Sequence, residues 1–274
     1  MNTNILVIGG TGKTGRRVVE QLQNRGIEPR IGSRNATPGF DWNDKSTWVK
    51  SLEGIERMYV TYYPDLAIPG AKEAIQSLTT LAKELGVKKV VLLSGKGEVE
   101  AEACELIVAN SGLDYTIVRA SWFNQNWSES FFLDAILSGN VALPMSDVLI
   151  PYVDADDIAE VATAVLLNDD FNDEIIEVTG PELITFKDIV TTIGNVSKRD
   201  LNFIPITLEQ YVDGMRQMQL PEDVIWLIEY LFSHVLTNPN NQLISHDIER
   251  VLGRKATSFT KYVEETVKTG VWNP

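Results

Sequence analysis

The sequence places a glycine-rich loop directly after an apolar run, in Ile5-Leu6-Val7-Ile8-Gly9-Gly10-Thr11-Gly12-Lys13-Thr14-Gly15. The apolar run is typical of a buried parallel strand, and the residues after Lys13 have the spacing of an amphipathic helix. The G-x-G-x-x-G spacing allows a tight turn, a close approach of backbone amides to a pyrophosphate, and packing of the helix against the strand. The helix start adds free N–H groups and a dipole that favour an anion. The stretch therefore predicts a dinucleotide site that is lined by Gly9, Gly10, Thr11, Gly12, Lys13, Thr14 and Gly15.

Strand-like runs alternate with amphipathic helices through the first 120 residues, which predicts an α/β fold with a Rossmann-type, doubly wound parallel sheet. After the first strand, the predicted strands of this part lie at 30–33, 58–62, 89–93 and 115–118, and its later helices at 67–85 and 98–110. Beyond this point the pattern becomes mostly helical, with short strands predicted at 140–143, 148–153, 174–179 and 201–204. We therefore predict a nucleotide-binding domain over 1–120 plus 150–180, and a smaller, mostly helical substrate-binding lobe over 121–149 plus 181–274.

The bulk composition argues against several classes of protein. The net charge is -14 and no basic stripe is present, so we expect no nucleic-acid partner. No apolar run reaches the roughly 18 residues of a membrane span, and Met1-Asn2-Thr3-Asn4 does not resemble the start of a signal peptide. Cys104 is the single cysteine and the two histidines lie far apart, so we expect neither a disulfide nor a metal site. These features favour a cytoplasmic protein that acts on a small molecule.

The choice of cofactor depends on the residues after the second predicted strand. An NAD site usually places an acid there, but this sequence has Gly32-Ser33-Arg34-Asn35. The Arg34 guanidinium can bind a 2′-phosphate and Ser33 can donate to it, so we expect a preference for NADP(H), with NAD(H) possible. The alternative is that Arg34 is a solvated loop residue. Asp41 could flank the adenine, and Thr61 and Tyr62 end a strand that should pass near the ribose.

Ser94, Gly95 and Lys96 follow the strand predicted at 89–93, at the edge where doubly wound sheets bind ligands. Ser94 and Gly95 are therefore predicted to contact the cofactor. Ser94 and Lys96 are weak catalytic candidates, the alternatives being a capping serine and a solvated lysine. A stripe of Glu98, Glu102 and Glu105 follows on one helical face and is expected to be mostly solvated.

Several longer segments resemble a known family. The glycine loop, Leu92-Leu93-Ser94-Gly95-Lys96-Gly97 and the segment from Ser111 to Arg119 resemble the NmrA-like branch of the atypical short-chain dehydrogenases. Ala120-Ser121-Trp122-Phe123-Asn124-Gln125-Asn126-Trp127-Ser128-Glu129 is similar to a subgroup that contains the agroclavine and festuclavine dehydrogenases. The resemblance implies a Rossmann fold, a small C-terminal lobe and NADP(H) binding. Members of the wider family include quinone and imine reductases and redox-sensing regulators without turnover.

One departure from that family concerns its acid. Short-chain dehydrogenases use Tyr-x-x-x-Lys, in which the lysine lowers the tyrosine pKa so that the tyrosine can transfer a proton. None of the eight tyrosines here has a lysine four residues later, and Ala101 aligns where many relatives have the helix lysine. Reduction of simple carbonyls and epimerisation of sugar nucleotides by the usual tyrosine are therefore doubtful.

Aromatic residues follow the strand predicted at 115–118. Trp122, Phe123, Trp127 and Tyr152 are predicted to line a substrate pocket, although about half of such rings are expected to be core. Our first hypothesis is an NADPH-dependent reductase of a quinone, enone or iminium, because such acceptors lose least without the usual acid. The alternative is a non-catalytic NADP(H)-sensing regulator of the NmrA type that binds a partner protein.

Overall fold

A six-stranded parallel sheet forms the centre of the first of two structural units in the computed structural model, which describes residues 4–273. The sequence prediction about the N-terminus rests largely on Met1, Asn2 and Thr3, which lie outside the described residues. The first unit comprises Met1–Ala120, Ala155–Val178 and His246–Arg254, and the second comprises Ser121–Asp154, Thr179–Ser245 and Lys255–Pro274.

The strands and helices alternate through most of the first unit. The strands are β1 (Ile5–Ile8), β2 (Arg30–Gly32), β3 (Arg57–Val60), β4 (Lys89–Gly95), β5 (Asp114–Ala120), β6 (Asn140–Leu143), β7 (Glu174–Val178) and β8 (Asn202–Pro205). The α-helices are α1 (Gly15–Gln23), α2 (Trp48–Leu52), α3 (Ala71–Glu84), α4 (Val99–Ala109), α5 (Leu133–Ser138), α6 (Ala155–Leu167), α7 (Phe186–Ser197), α8 (Leu208–Gln217), α9 (Glu222–Tyr230), α10 (Asp247–Leu252) and α11 (Phe259–Lys268).

The sheet of the first unit has the strand order β2-β1-β3-β4-β5-β7, and every neighbouring pair is parallel. Val7 of β1 lies beside Ile31 on one side and Tyr59 on the other, which fixes the register at the centre of the sheet. The chain leaves β1 for β2 on one side and reaches β3 on the other, so the carboxyl ends of β1 and β3 flank a switch point. The predicted doubly wound parallel sheet is confirmed.

Alternate residues of the central strands face opposite sides of the sheet. Leu6 and Met58 pack with Ile75 and Leu78 of α3 in one buried cluster. Tyr59 has the opposite direction, because successive residues of a strand alternate between faces, and its hydroxyl contacts the start of α1. Both faces of the sheet are thereby covered, as its apolar strands require.

The second unit contains the two-stranded parallel sheet of β6 and β8 and a mostly helical remainder. Its core is aromatic, and its largest fully buried side chains are Trp127, Tyr152, Phe186 and Trp272. The sequence prediction of a strand at 148–153 was wrong, since this segment forms only isolated bridges, from Ile150 to Ile184 and from Val153 to Phe123. Pro151 lies within the segment and has no N–H to donate to a continuous ladder.

Two other differences have local causes. Helix α3 begins at Ala71 and not at residue 67, because Pro69 disfavours helical backbone in the residue before it. Residues 246–254, which the sequence analysis placed with the lobe, pack with the first unit. Arg254 pairs with Asp157 at 2.7 Å, and an Asp247 carboxylate oxygen accepts the backbone N–H of Glu177 at 2.9 Å.

Candidate functional site

The glycine loop leaves β1 at the switch point of the sheet. Gly9 has a positive φ of 76°, which favours glycine, and its N–H donates to the Gly32 carbonyl oxygen at 2.8 Å. A Cβ at Gly9 would lie 2.0 Å from Thr61 Oγ1, so the two chain segments approach too closely for any side chain. The Gly12 N–H donates back to the Gly9 carbonyl oxygen at 2.8 Å and closes the turn.

The three fingerprint glycines have different surroundings. A Cβ at Gly15 would lie 2.1 Å from the Gly9 carbonyl oxygen, and one at Gly10 would lie 2.9 Å from the Val7 carbonyl oxygen. Gly12 is exposed, and a Cβ there would meet only the Gly9 carbonyl oxygen, at 3.1 Å. Gly10 and Gly15 are therefore required by the packing of the loop, whereas the space in front of Gly12 is left open on the solvent side.

Helix α1 begins directly after the loop and has no acidic residue in its first turn. Such a helix start favours a bound anion, because its free N–H groups and dipole carry partial positive charge. Thr14 precedes the helix, and its Oγ1 accepts a hydrogen bond from the Tyr59 hydroxyl at 3.0 Å. Both residues are buried. Sequence analysis missed Tyr59, and the available signal was a tyrosine in an otherwise apolar strand.

The loop after β2 carries the residues predicted to select the cofactor. The Ser33 carbonyl oxygen accepts the N–H groups of Ala36 and Phe40, at 3.2 and 2.9 Å, so the loop folds back on itself. Arg34 is exposed on this loop and forms no ion pair with any residue between 4 and 273. Its guanidinium is therefore available to an anion from solvent.

Aromatic residues pack beside the ends of β2 and β3. Trp42 donates its indole N–H to the Thr61 carbonyl oxygen at 3.2 Å, and its ring centroid lies 4.8 Å from that of Tyr62. The Asp41 carbonyl oxygen accepts the indole N–H of Trp48 at 2.7 Å. These contacts join Asp41, Thr61 and Tyr62 into one packed group at the carboxyl edge of the sheet.

The end of β4 contains the two weak catalytic candidates. Ser94 is buried and its hydroxyl has no hydrogen-bond partner, so it does not act as the cap that was the alternative. A buried hydroxyl without a partner is unfavourable, and this makes Ser94 available to a ligand. The alternative of a solvated Lys96 was wrong, because Lys96 is buried and its Nζ lies 2.8 Å from Glu177 Oε2. The same glutamate also pairs with Arg119, at 3.4 Å.

A pair of carboxyl groups lies at the ends of β3 and β4. Glu98 is 7% exposed and its carboxyl group covers the α-carbon of Gly95, where a Cβ would meet Glu98 Oε1 at 2.2 Å. Burial, and then the charge and hydrogen bond of Asp65, raise the pKa of Glu98 well above its usual value. The expectation of a mostly solvated stripe was therefore wrong for Glu98, and also for Glu105, which is buried against Arg119. Glu102 alone of the three is exposed.

The aromatic residues predicted to contact substrate divide into two groups in the second unit. Trp127 and Tyr152 have exposed fractions of 0% and 2% and lie in the core, so they serve there as packing residues and offer a substrate no surface. Trp122 and Phe123 are only partly buried. The Trp122 ring lies 5.5 Å from Phe232 and 6.3 Å from Tyr152, so its position is fixed by the aromatic core.

Two further searches concern metals and membranes. Between residues 4 and 273, no three His, Cys, Asp or Glu side chains are grouped so that they could hold a metal ion. Within the same part of the chain, no helix has both the length and the apolar character needed to cross a membrane.

Comparison with known families decides what this loop and edge belong to. The family described as NAD(P)H-binding matches residues 9–169, which include the glycine loop and the ends of β1 to β5. The chain belongs to this NAD(P)H-binding family. NAD(P)H binding by the family member is therefore established, and the expected relationship to the ergot-alkaloid dehydrogenases is confirmed by the relatives below.

Three relatives align over nearly the whole chain. Prestalk A differentiation protein A of Dictyostelium discoideum is 29% identical over 96% of this chain and 92% of its own length. Agroclavine dehydrogenase of Claviceps fusiformis is 27% identical, with 98% of each chain covered. An NAD(P)H azoreductase of Xenophilus azovorans is 26% identical over 95% of this chain and 96% of its own. The predicted class, an NAD(P)H-dependent oxidoreductase, agrees with the family and with relatives named as dehydrogenases and reductases.

Two solved structures share the fold over the whole chain. A nucleoside-diphosphate-sugar epimerase from Staphylococcus aureus has a TM-score of 0.81 at 17% identity, with 96% of this chain and 100% of the other covered. An NADPH-dependent quinone oxidoreductase from Escherichia coli has a TM-score of 0.79 at 17% identity, with 95% and 99% covered. These likenesses support the Rossmann-type fold.

Proposed function

We propose that the protein is an NADPH-dependent reductase of a small conjugated or cationic acceptor, such as a quinone, an enone or an iminium ion. The observation that carries the proposal is a complete cofactor edge without the usual acid. The glycine loop and the acid-free start of α1 suit a diphosphate, yet none of the eight tyrosines has a lysine four residues later.

The preference for NADPH rests on the loop after β2. Arg34 is exposed and without an ionic partner in the described chain, and its planar guanidinium matches a phosphate. Ser33 precedes it and can donate to the same group. No acidic residue occupies Gly32-Ser33-Arg34-Asn35, so a ribose 2′-hydroxyl has no carboxylate partner there.

The choice of acceptor follows from proton transfer. Bound NADPH supplies a hydride, and a simple ketone must gain a proton on its oxygen as that hydride arrives. A positioned acid contributes roughly 10²- to 10⁴-fold to such a step. An iminium carbon needs no proton because its nitrogen is already cationic, and a quinone can take its proton from water. The names of relatives that act on ergot alkaloids and azo compounds are compatible with acceptors of this kind.

Trp122 and Phe123 are the aromatic residues proposed to contact the acceptor, because they are the ones with exposed surface among the four predicted. Trp122→Ala should raise KM for the acceptor and leave the Kd of NADPH unchanged. Trp226→Ala is the matched control, since this tryptophan is exposed in the same unit and stacks on Tyr230 rather than on Trp122. Equal effects of the two substitutions on KM would remove Trp122 from the proposed pocket.

The test of the function is NADPH oxidation with a panel of a quinone, an enone, an iminium salt and a saturated ketone. Oxidation is expected with at least one of the first three and at most a slow rate with the ketone. Gly12→Ala serves as a background control, because its open surroundings allow the loop to fold while its methyl group obstructs the diphosphate. Ketone reduction as fast as that of the best acceptor would overturn the argument from the missing acid. Tight NADPH binding without any turnover would instead favour the redox-sensing regulator.

A further inference from the structure

Thr14 is an unusual residue to find before a helix. A threonine in this position normally has extended backbone, and its hydroxyl accepts an N–H of the first helical turn. Thr185, Thr207 and Ser258 do this before α7, α8 and α11, with extended backbone and a hydroxyl that accepts the N–H three residues later. Thr14 has helical backbone, with φ −87° and ψ −40°, and makes no such bond.

The reason lies in the neighbouring strand. The Tyr59 hydroxyl donates to Thr14 Oγ1 at 3.0 Å, and it reaches that atom from β3, across the face of the sheet that α1 covers. Tyr59 is fully buried, and burial raises the pKa of its phenol, so the donor keeps its proton. The threonine oxygen is thereby directed into the protein and away from the start of α1.

We propose that Tyr59 is a positioning residue that holds the Thr14 hydroxyl away from the N-terminus of α1 and so leaves the N–H groups there to the cofactor diphosphate. This inference rests on the proposed function, since it assumes that NADPH binds at the glycine loop. A hydroxyl that capped the helix would compete with the diphosphate for the same donors, because each N–H group can serve only one strong acceptor.

The competition has a defined size. A threonine cap stabilises a helix start by about 1 kcal/mol, so a released Thr14 hydroxyl should raise the Kd of NADPH about fivefold. The kcat at saturating NADPH should not change, because Tyr59 is not proposed to touch the acceptor. Valine at position 14 has the shape of threonine but cannot cap, so it should bind NADPH as the wild type does.

The experiment measures NADPH binding by calorimetry to the wild type, Tyr59→Phe, Thr14→Val and the double variant. Tyr59→Phe should raise the Kd about fivefold, and adding Thr14→Val should restore it. The double variant replaces both polar partners by apolar groups of similar shape, so it should fold even if a single variant does not. Tyr115→Phe is the control, since this tyrosine lies on β5 of the same sheet and its hydroxyl contacts only the Asp173 carbonyl oxygen, at 3.4 Å.

A second ligand separates competition from general loosening of the loop. The affinity for 2′-AMP, which has no diphosphate, should be the same in Tyr59→Phe and the wild type. The inference is overturned if Tyr59→Phe leaves the Kd of NADPH unchanged, if Thr14→Val raises it as much as Tyr59→Phe does, or if 2′-AMP binding weakens in parallel. Failure of the wild type to bind NADPH would overturn the proposed function as well, and failure to reduce any acceptor with binding intact would overturn the proposed function alone.

Discussion

Replacing Gly12 and Gly15 separately by alanine should produce two different defects. The fingerprint treats these glycines alike, but their surroundings differ. Alanine at position 15 places a methyl carbon 2.1 Å from the Gly9 carbonyl oxygen and 3.0 Å from the Gly10 α-carbon. Alanine at position 12 places it 3.1 Å from the Gly9 carbonyl oxygen, with no other described atom among its close neighbours. Gly15→Ala should therefore damage the fold of the loop, and Gly12→Ala should damage binding.

The magnitudes follow from these distances. The Gly15 methyl group must move by about 1 Å against backbone to reach ordinary contact, and overpacking of this kind costs about 1–3 kcal/mol or more. The Gly12 methyl group needs a shift of only a few tenths of an ångström. A Gly-to-Ala change at a compatible position also gains about 0.4–1 kcal/mol from the unfolded chain, so the net change in unfolding free energy should be near zero. Loss of one hydrogen bond to the charged diphosphate costs about 1.5–3 kcal/mol, or roughly 10- to 150-fold in Kd.

The assay pairs urea denaturation with NADPH calorimetry on the same samples. Gly12→Ala should unfold with the wild-type midpoint and bind NADPH at least about tenfold more weakly. Gly15→Ala should show a lower midpoint. The reasoning is refuted if Gly12→Ala binds NADPH as the wild type does, or if the two variants lose the same stability and the same affinity.

Three further predictions concern individual side chains. Arg34→Ala should weaken NADPH binding by about 1.5–3 kcal/mol in calorimetry and leave NADH unchanged, whereas equal wild-type affinities for the two cofactors would contradict its role. Burial raises the pKa of Glu98 above its ordinary 4.5, so the unfolded chain loses that proton first and wild-type stability should fall as the pH rises from that value toward the raised pKa. Glu98→Gln should lack this loss in urea denaturation at pH 5 and pH 8, and parallel profiles for the two proteins would show that Glu98 is not held protonated. Burial also raises the pKa of Cys104 to about 11, so iodoacetamide should alkylate it at pH 8 at least about 100-fold more slowly than free cysteine, and a comparable rate would contradict the buried thiol.

The elements that sequence analysis predicted well are those fixed by local chemistry. The apolar run at Ile5–Ile8 and the glycine spacing after it require a strand, a turn and a helix in that order, and the structure has them. Cys104 is buried as its alanine-rich surroundings on the helix suggested. The strand at 148–153 failed because alternating apolar residues outweighed Pro151, whose missing N–H interrupts a ladder.

The parts that sequence could not reveal depend on contacts between distant residues. Lys96 and Glu177 are 81 positions apart in the chain, and Tyr59 and Thr14 are 45 apart, yet both pairs are in direct contact. Glu98 was expected to be solvated because its spacing matches an exposed helical stripe, but the turn at the end of β4 folds its carboxyl group over Gly95. Such pairings are set by which strands become neighbours in the sheet, and helical periodicity does not record that.

The central claim is that this chain transfers a hydride from NADPH to a conjugated or cationic carbon. The most direct measurement uses NADPH that carries deuterium at C4 of the nicotinamide, in each stereochemical position, with an enone that the panel shows to be an acceptor. Mass spectrometry of the saturated product should find one deuterium at the β-carbon with one of the two labelled cofactors and none with the other. Product without deuterium from either cofactor, or bound NADPH that no acceptor of the panel oxidises, would contradict the claim.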